Sequence, residues 1–172
     1  MPNDEGGIRI RPAGPDDLDA MVAITAEVFA PNAVEAHIER MIGRREQAGW
    51  VEIKADDLLR ELAAAPEACF VAELDGRVVG YVTNVIRRPA SRGIIANLAV
   101  SAAAQGRGVG RRLLLRSIEH FRGLGLSQAK IETLACNEVG QHLYPSVGFR
   151  EVIRQIHYVM SLDDDDTGPP SR

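Results

Sequence analysis

Residues 94 to 121 carry a pattern that few folds accommodate. An apolar run, Ile94-Ile95-Ala96-Asn97-Leu98-Ala99-Val100, leads through a short link into Gln105-Gly106-Arg107-Gly108-Val109-Gly110. Apolar residues then recur at Val109, Leu113, Leu114, Ile118 and Phe121, with Arg111, Arg112, Arg116 and Glu119 between them. The first run predicts a buried strand and the last an amphipathic helix with one face in the core. A strand feeding a glycine turn and then a helix aims several unpaired backbone N–H groups at one point, where the helix dipole adds its positive end. Glycine lets a ligand approach main chain that a Cβ would screen, at an entropic cost a bare turn has no reason to bear. The stretch therefore predicts an anion site suited to a phosphate or pyrophosphate.

The spacing narrows the anion. A P-loop requires Gly-Lys-Ser or Gly-Lys-Thr, whereas Gly110 is followed by Arg111 and Arg112. The dinucleotide fingerprint Gly-x-Gly-x-x-Gly fails in both frames, because its last position falls on Arg111 or on Leu113. The turn also lies late in the chain rather than in a first βαβ unit. A nicotinamide cofactor is not expected.

The remaining pattern predicts one mixed α/β domain. Ile8 to Arg11 alternates as a strand, and Gly14-Pro15-Asp16-Asp17 opens a helix with an apolar face from Leu18 to Phe29. Val34 to Ile42 predicts a second helix. Gly49 to Ile53 is ambiguous, and Asp56 to Ala65 predicts a short helix stopped by Pro66. Cys69 to Leu74 and Arg77 to Thr83, joined by Asp75-Gly76, form a hairpin signature. A strand over 129–134, a short helix over 137–146 and strand material over 149–162 complete the order. At 172 residues, with no linker, the chain suits a single domain over 1–162. The acidic stretch 163–172 reads as a solvated tail.

Composition excludes several functions. A net charge of −4 gives no global positive field toward nucleic acid or anionic lipid. Aromatic residues make up 5%, too few for base-stacking platforms. Cys69 and Cys136 are too few for a disulfide scaffold, and His37, His120, His142 and His157 lack metal-ligand spacing, so no metal is expected. Cys136 reads as a buried, inert thiol. The N-terminus lacks the basic-then-apolar order of a secretory peptide, and no apolar window reaches membrane-spanning length. A cytoplasmic location follows as the expectation.

With these motifs in view, the sequence resembles the GCN5-related N-acetyltransferase superfamily. That family's coenzyme A motif is Gln or Arg, two residues, Gly, one residue, then Gly or Ala; Gln105 to Gly110 supplies it. Asn97-Leu98-Ala99-Val100 resembles the family's fourth strand, and Asn137 with Leu143-Tyr144-Pro145-Ser146-Val147-Gly148-Phe149 its closing segment. The resemblance implies a mostly antiparallel twisted sheet, splayed between the fourth and fifth strands and flanked by helices. It implies transfer of an acetyl group from acetyl-CoA to a primary amine by direct attack in a ternary complex. Leu98, Ala99 and Val100 would pair with the pantetheine arm. Gln105, Gly106, Arg107, Gly108, Val109, Gly110 and Arg111 would hold the pyrophosphate, and Asn137 would bond the cofactor from across the splay. Tyr144 would be the catalytic acid, since a phenol with a pKa near 10 can protonate the departing thiolate.

The family often carries a glutamate on the strand before the turn, and Ile94 to Asn97 holds no carboxylate. Glu27, Glu35, Glu73 and Glu132 are candidate substitutes, and none is singled out. The acceptor stays open between a small-molecule amine and a peptide or protein amine, with no nucleic acid or membrane partner and a homodimer allowed. A non-catalytic acyl-CoA sensor is the alternative.

Overall fold

A computed structural model of the chain describes residues 7–31, 33–43 and 48–162. The acidic tail at 163–172 lies outside them. The strands are β1 (Ile8–Pro12), β2 (Phe70–Leu74), β3 (Arg77–Arg87), β4 (Arg92–Val100) and β5 (Gln128–Ile131). The helices are α1 (Leu18–Val28), α2 (Val34–Ile42), α3 (Trp50–Ala64), α4 (Val109–Gly123) and α5 (Glu138–Ser146). One five-stranded sheet runs in the order β1-β2-β3-β4-β5, antiparallel up to β4, with β5 parallel to β4.

Local chemistry accounts for the element boundaries. Asp75 (φ 51°) and Gly76 (φ 74°) both take the left-handed conformation, as a two-residue hairpin between twisted strands demands. The helix expected from Asp56 begins earlier, at Trp50, and so absorbs the ambiguous stretch. Its Trp50 N–H donates to Glu39 Oε2 of α2 at 2.8 Å, and this long-range cap supports the earlier start. Arg11 donates to both carboxylate oxygens of Asp17 at 2.7 Å and to Glu73 at 2.9 Å, binding β1 to β2 and to the entry of α1. The Arg11 guanidinium holds the Asp17 carboxyl below the usual carboxylate range.

The decisive feature is a β-bulge. Thr83 pairs with Asn97 and Asn84 with Ile95, so Ala96 is an extra residue on β4. An extra residue reverses the faces of a strand. Ile95, Leu98 and Val100 accordingly pack in the cluster under α4, with Phe70, Val82, Leu113 and Phe121. Ala99 instead joins Tyr81, Val71, Met21 and Leu58 under α1 and α3. The bulge also ends the β4–β5 ladder, whose last pair is Ile95 with Ile131. The strand expected over 129–134 therefore stops at Ile131, because β4 no longer offers it a partner.

Residues 149–162, expected as strand, form no ladder. Val152, Ile153 and Tyr158 are 93%, 84% and 91% exposed. Alternating apolar residues specify a strand only where a neighbouring strand accepts the backbone hydrogen bonds. Here the chain leaves α5 along the mouth of a cleft instead of returning to the open edge of β5.

Gly93 shows how tightly the α4 face is packed. A Cβ there would lie 2.4 Å from the Phe121 ring, well inside contact distance. Gly93→Ala is expected to destabilise the fold by about 1–3 kcal/mol through overpacking. In a thermal melt the midpoint falls by several degrees; an unchanged midpoint would show that Phe121 yields freely.

Candidate active site

The separation of β4 from β5 opens a cleft of about 1140 Å³. Ala96 to Val100 line one wall, and Glu132 to Ala135, Asn137 and Tyr144 the other. At one end stands the glycine turn. Gly106 and Gly108 have φ of 74° and 76°, conformations in which side chains are strained. Gly108 is the N-cap of α4, and the first helical bond runs from Arg112 N–H to Gly108 O. The amides of residues 106 to 111 make no hydrogen bond to described residues, and all of these residues except Arg107 border the cleft end. Unpaired amides at the positive end of a 15-residue helix have the chemistry to accept an anion without any basic side chain.

The other wall depends on Thr133. Asn137 donates from Nδ2 to Thr133 Oγ1 at 2.8 Å and accepts the Gly140 N–H at Oδ1 at 3.1 Å, capping α5. A Cβ on Gly140 would meet both Asn137 Nδ2 and Tyr144 Cε2 at 2.9 Å, so the small residue lets these two side chains stand together. Burial raises the Tyr144 phenol above its ordinary value, and the hydrogen bond with Thr133 works against that rise. Its ring meets Phe149 edge-on with centroids 6.4 Å apart. Pro145 is tolerated because α5 ends one residue later, at Ser146.

The sequence of residues 33–149 matches the model of the Acetyltransferase (GNAT) family. This chain belongs to that family. The mycothiol acetyltransferase of Thermomonospora curvata is 30% identical over 143 residues, covering 78% of this chain and 47% of that protein. The N-alpha-acetyltransferase RimI of Mycobacterium tuberculosis is 35% identical over 120 residues, covering 65% of this chain and 74% of RimI. The chain thus spans about half the length of the mycothiol acetyltransferases it matches. The crystal structure of PaiA N-acetyltransferase from Thermoplasma acidophilum, in complex with coenzyme A, superposes with a TM-score of 0.68 at 21% identity. That overlap covers 83% of this chain and 89% of PaiA, and it establishes a shared fold.

Within this GNAT domain the motif residues fall into two sets. Leu98, Ala99, Val100, Gln105, Gly106, Gly108, Val109, Gly110, Arg111, Asn137 and Tyr144 all border the one cleft. Arg107 does not; its side chain is exposed outside the cleft lining. Arg111 reaches across to Ser146, donating to its backbone and hydroxyl oxygens at 3.3 and 3.1 Å, and so joins α4 to α5.

The four candidate carboxylates also separate. Glu35 and Glu132 line the cleft, Glu35 paired with Lys54 at 3.9 Å and Glu132 with Lys130 at 2.6 Å. Glu73 is engaged by Arg11, and Glu27 accepts the Ala102 N–H at 3.0 Å. Cys136 is exposed rather than buried, because it sits in the irregular segment after β5 has lost its partner. Cys69 is the buried thiol, pushed up to about 11 by desolvation. Among the described residues no group of three or more His, Cys, Asp or Glu side chains could hold a metal, and no helix is long and apolar enough to cross a membrane.

Sequence reasoning missed Thr133 and Glu61. Thr133 carries no motif signal. Glu61 looks like any charged residue on a helix, yet its carboxylate reaches Asn97 on β4.

Proposed function

We propose that this domain transfers an acetyl group from acetyl-CoA to a primary amine by direct attack in a ternary complex. The observation that carries the reading is the set of unpaired amides at 106–111, standing at the end of the cleft that the β4 bulge opens. The pyrophosphate would rest on those amides, and the open backbone edge of Leu98 to Val100 would pair with the pantetheine arm as an added strand does. Backbone N–H groups near Leu98 and Ala99 would steady the developing oxyanion.

The amine nitrogen bonds to the thioester carbon, the carbon–sulfur bond breaks, and the sulfur takes the phenolic proton of Tyr144. The proton released by the amine passes to water in the cleft, and water returns a proton to the Tyr144 phenolate. Val28, Phe29 and Glu35 line the cleft on the side of α1 and α2, a wall suited to the acceptor. The acceptor is a small-molecule amine or a peptide or protein amine. The acetyltransferase names of both relatives support the reaction class. We take residues 1–162 as the catalytic domain and 163–172 as an acidic tail. A cytoplasmic location suits two free thiols. The reading includes no nucleic acid or membrane partner and allows a homodimer.

A thermal-shift series with acetyl-CoA, NAD and ATP, paired with thiol release across a panel of amines, tests the reading. Acetyl-CoA should raise the melting midpoint, as any ligand selective for the native state does. Stabilisation by NAD or ATP alone would overturn the anion assignment. Stabilisation by acetyl-CoA with no thiol release for any amine would identify an acyl-CoA sensor.

A further inference from the structure

Asn97 stands at the bulge of β4, beside the backbone that the reading above gives to the thioester arm, and only 6% of its surface is exposed. Its Nδ2 donates to Glu61 Oε2 at 2.8 Å and to Thr83 Oγ1 at 3.0 Å. The Thr83 hydroxyl, fully buried, is itself hydrogen-bonded to the Glu61 carboxylate. An ionised carboxylate only accepts, so Thr83 must donate to it and turn its lone pairs toward Asn97. Both inner partners of the Asn97 amide are therefore acceptors. The amide has one permitted orientation: nitrogen inward, oxygen outward. Asn97 borders the cleft, and its Oδ1 takes no hydrogen bond from the described residues yet is not enclosed.

We infer that Glu61 is a positioning residue that holds Asn97 Oδ1 toward the cleft as the acceptor for an N–H of the incoming amine. The statement rests on the acetyltransferase reading and adds how the acceptor is selected. A primary amine attacking through its lone pair still has N–H groups to donate. A hydroxyl or thiol has a single hydrogen, which it must lose as it attacks, so the oxygen of Asn97 favours amines over both. Glu61 acts from α3, on the face that Asn97 reaches only because the Ala96 bulge reverses β4. Lys54, also on the cleft wall, and Asp57 are the charged groups beside it. Desolvation raises the Glu61 carboxyl. An acid raised on folding weakens stability while ionised, so Glu61→Gln should leave the melting midpoint at neutral pH unchanged or higher.

The test measures n-butylamine binding to the coenzyme A complex, following the side-chain amide resonance of Asn97 by nitrogen-15 NMR. In the unsubstituted protein n-butylamine should shift that resonance. Glu61→Ala releases the Thr83 hydroxyl and frees the amide to turn, and should weaken n-butylamine binding about tenfold, the size of one lost hydrogen bond. Asn97→Ala should weaken it equally, and the double variant no further, because Glu61 acts only through Asn97. Glu61→Gln keeps an accepting oxygen and should stay within about threefold of the unsubstituted protein on the same hydrogen-bond scale. Additive losses, an unmoved Asn97 resonance on n-butylamine addition, or full n-butylamine affinity in Glu61→Ala would overturn the inference. Calorimetry of coenzyme A on the same samples separates the two levels: failure to bind it in the unsubstituted protein would strike the acetyltransferase reading itself.

Discussion

Gly108→Val should lower acetyl-CoA affinity by roughly 30-fold or more while leaving the protein folded. Two effects combine. Gly108 sits at φ 76°, where a side chain costs about 1–2 kcal/mol, and relief of that strain would rotate the amides of the turn away from their common point. A branched side chain would also stand where the pyrophosphate must reach the main chain. At about 1.4 kcal/mol per tenfold, strain and lost contacts together account for the expected range. Nothing lies within 4 Å of a Cβ at this position, so the substitution makes no internal clash and the melting midpoint should fall only by the few degrees that the backbone strain costs. Calorimetric titration decides the matter. Wild-type affinity in a folded Gly108→Val protein would mean the phosphates bind elsewhere.

Tyr144→Phe carries the second large effect. The ring, its contact with Phe149 and its place beside Gly140 are retained, so acetyl-CoA binding should hold. Turnover should fall by about 100-fold, within the usual contribution of a positioned general acid. The pH profile adds a second signature. Burial raises the phenol, so its protonated form persists to higher pH than that of a free tyrosine, and turnover should decline only beyond the range in which a free tyrosine ionises. That alkaline limb should vanish from the residual activity of Tyr144→Phe. If the variant kept both the rate and the limb, another group would be delivering the proton.

Much of this site was legible one residue at a time. Gly106, Gly108 and the periodic residues after Val109 announce a glycine turn opening a helix because conformational freedom and helical spacing are local properties. Asp75-Gly76 announces its hairpin for the same reason. Tyr144 and Asn137 could be placed only by family resemblance, since a tyrosine on a short helix has no distinguishing spacing. Glu61 was beyond reach: its role depends on α3 lying over the reversed face of β4, and nothing in Leu59-Arg60-Glu61-Leu62 records that contact.

The same division explains the expectations that changed. The strand over 129–134 was shortened by the departure of its neighbour, and the apolar alternation beyond Phe149 found no neighbour at all. By itself the sequence determined the elements whose geometry rests on their own residues: the hairpin, the glycine turn and the amphipathic helices. Only the tertiary structure decided where β4 and β5 part, which carboxylate lies behind Asn97, and that Cys136 faces solvent. Those outcomes depend on pairing between distant segments, and a hydrogen bond across a sheet is set by both partners at once.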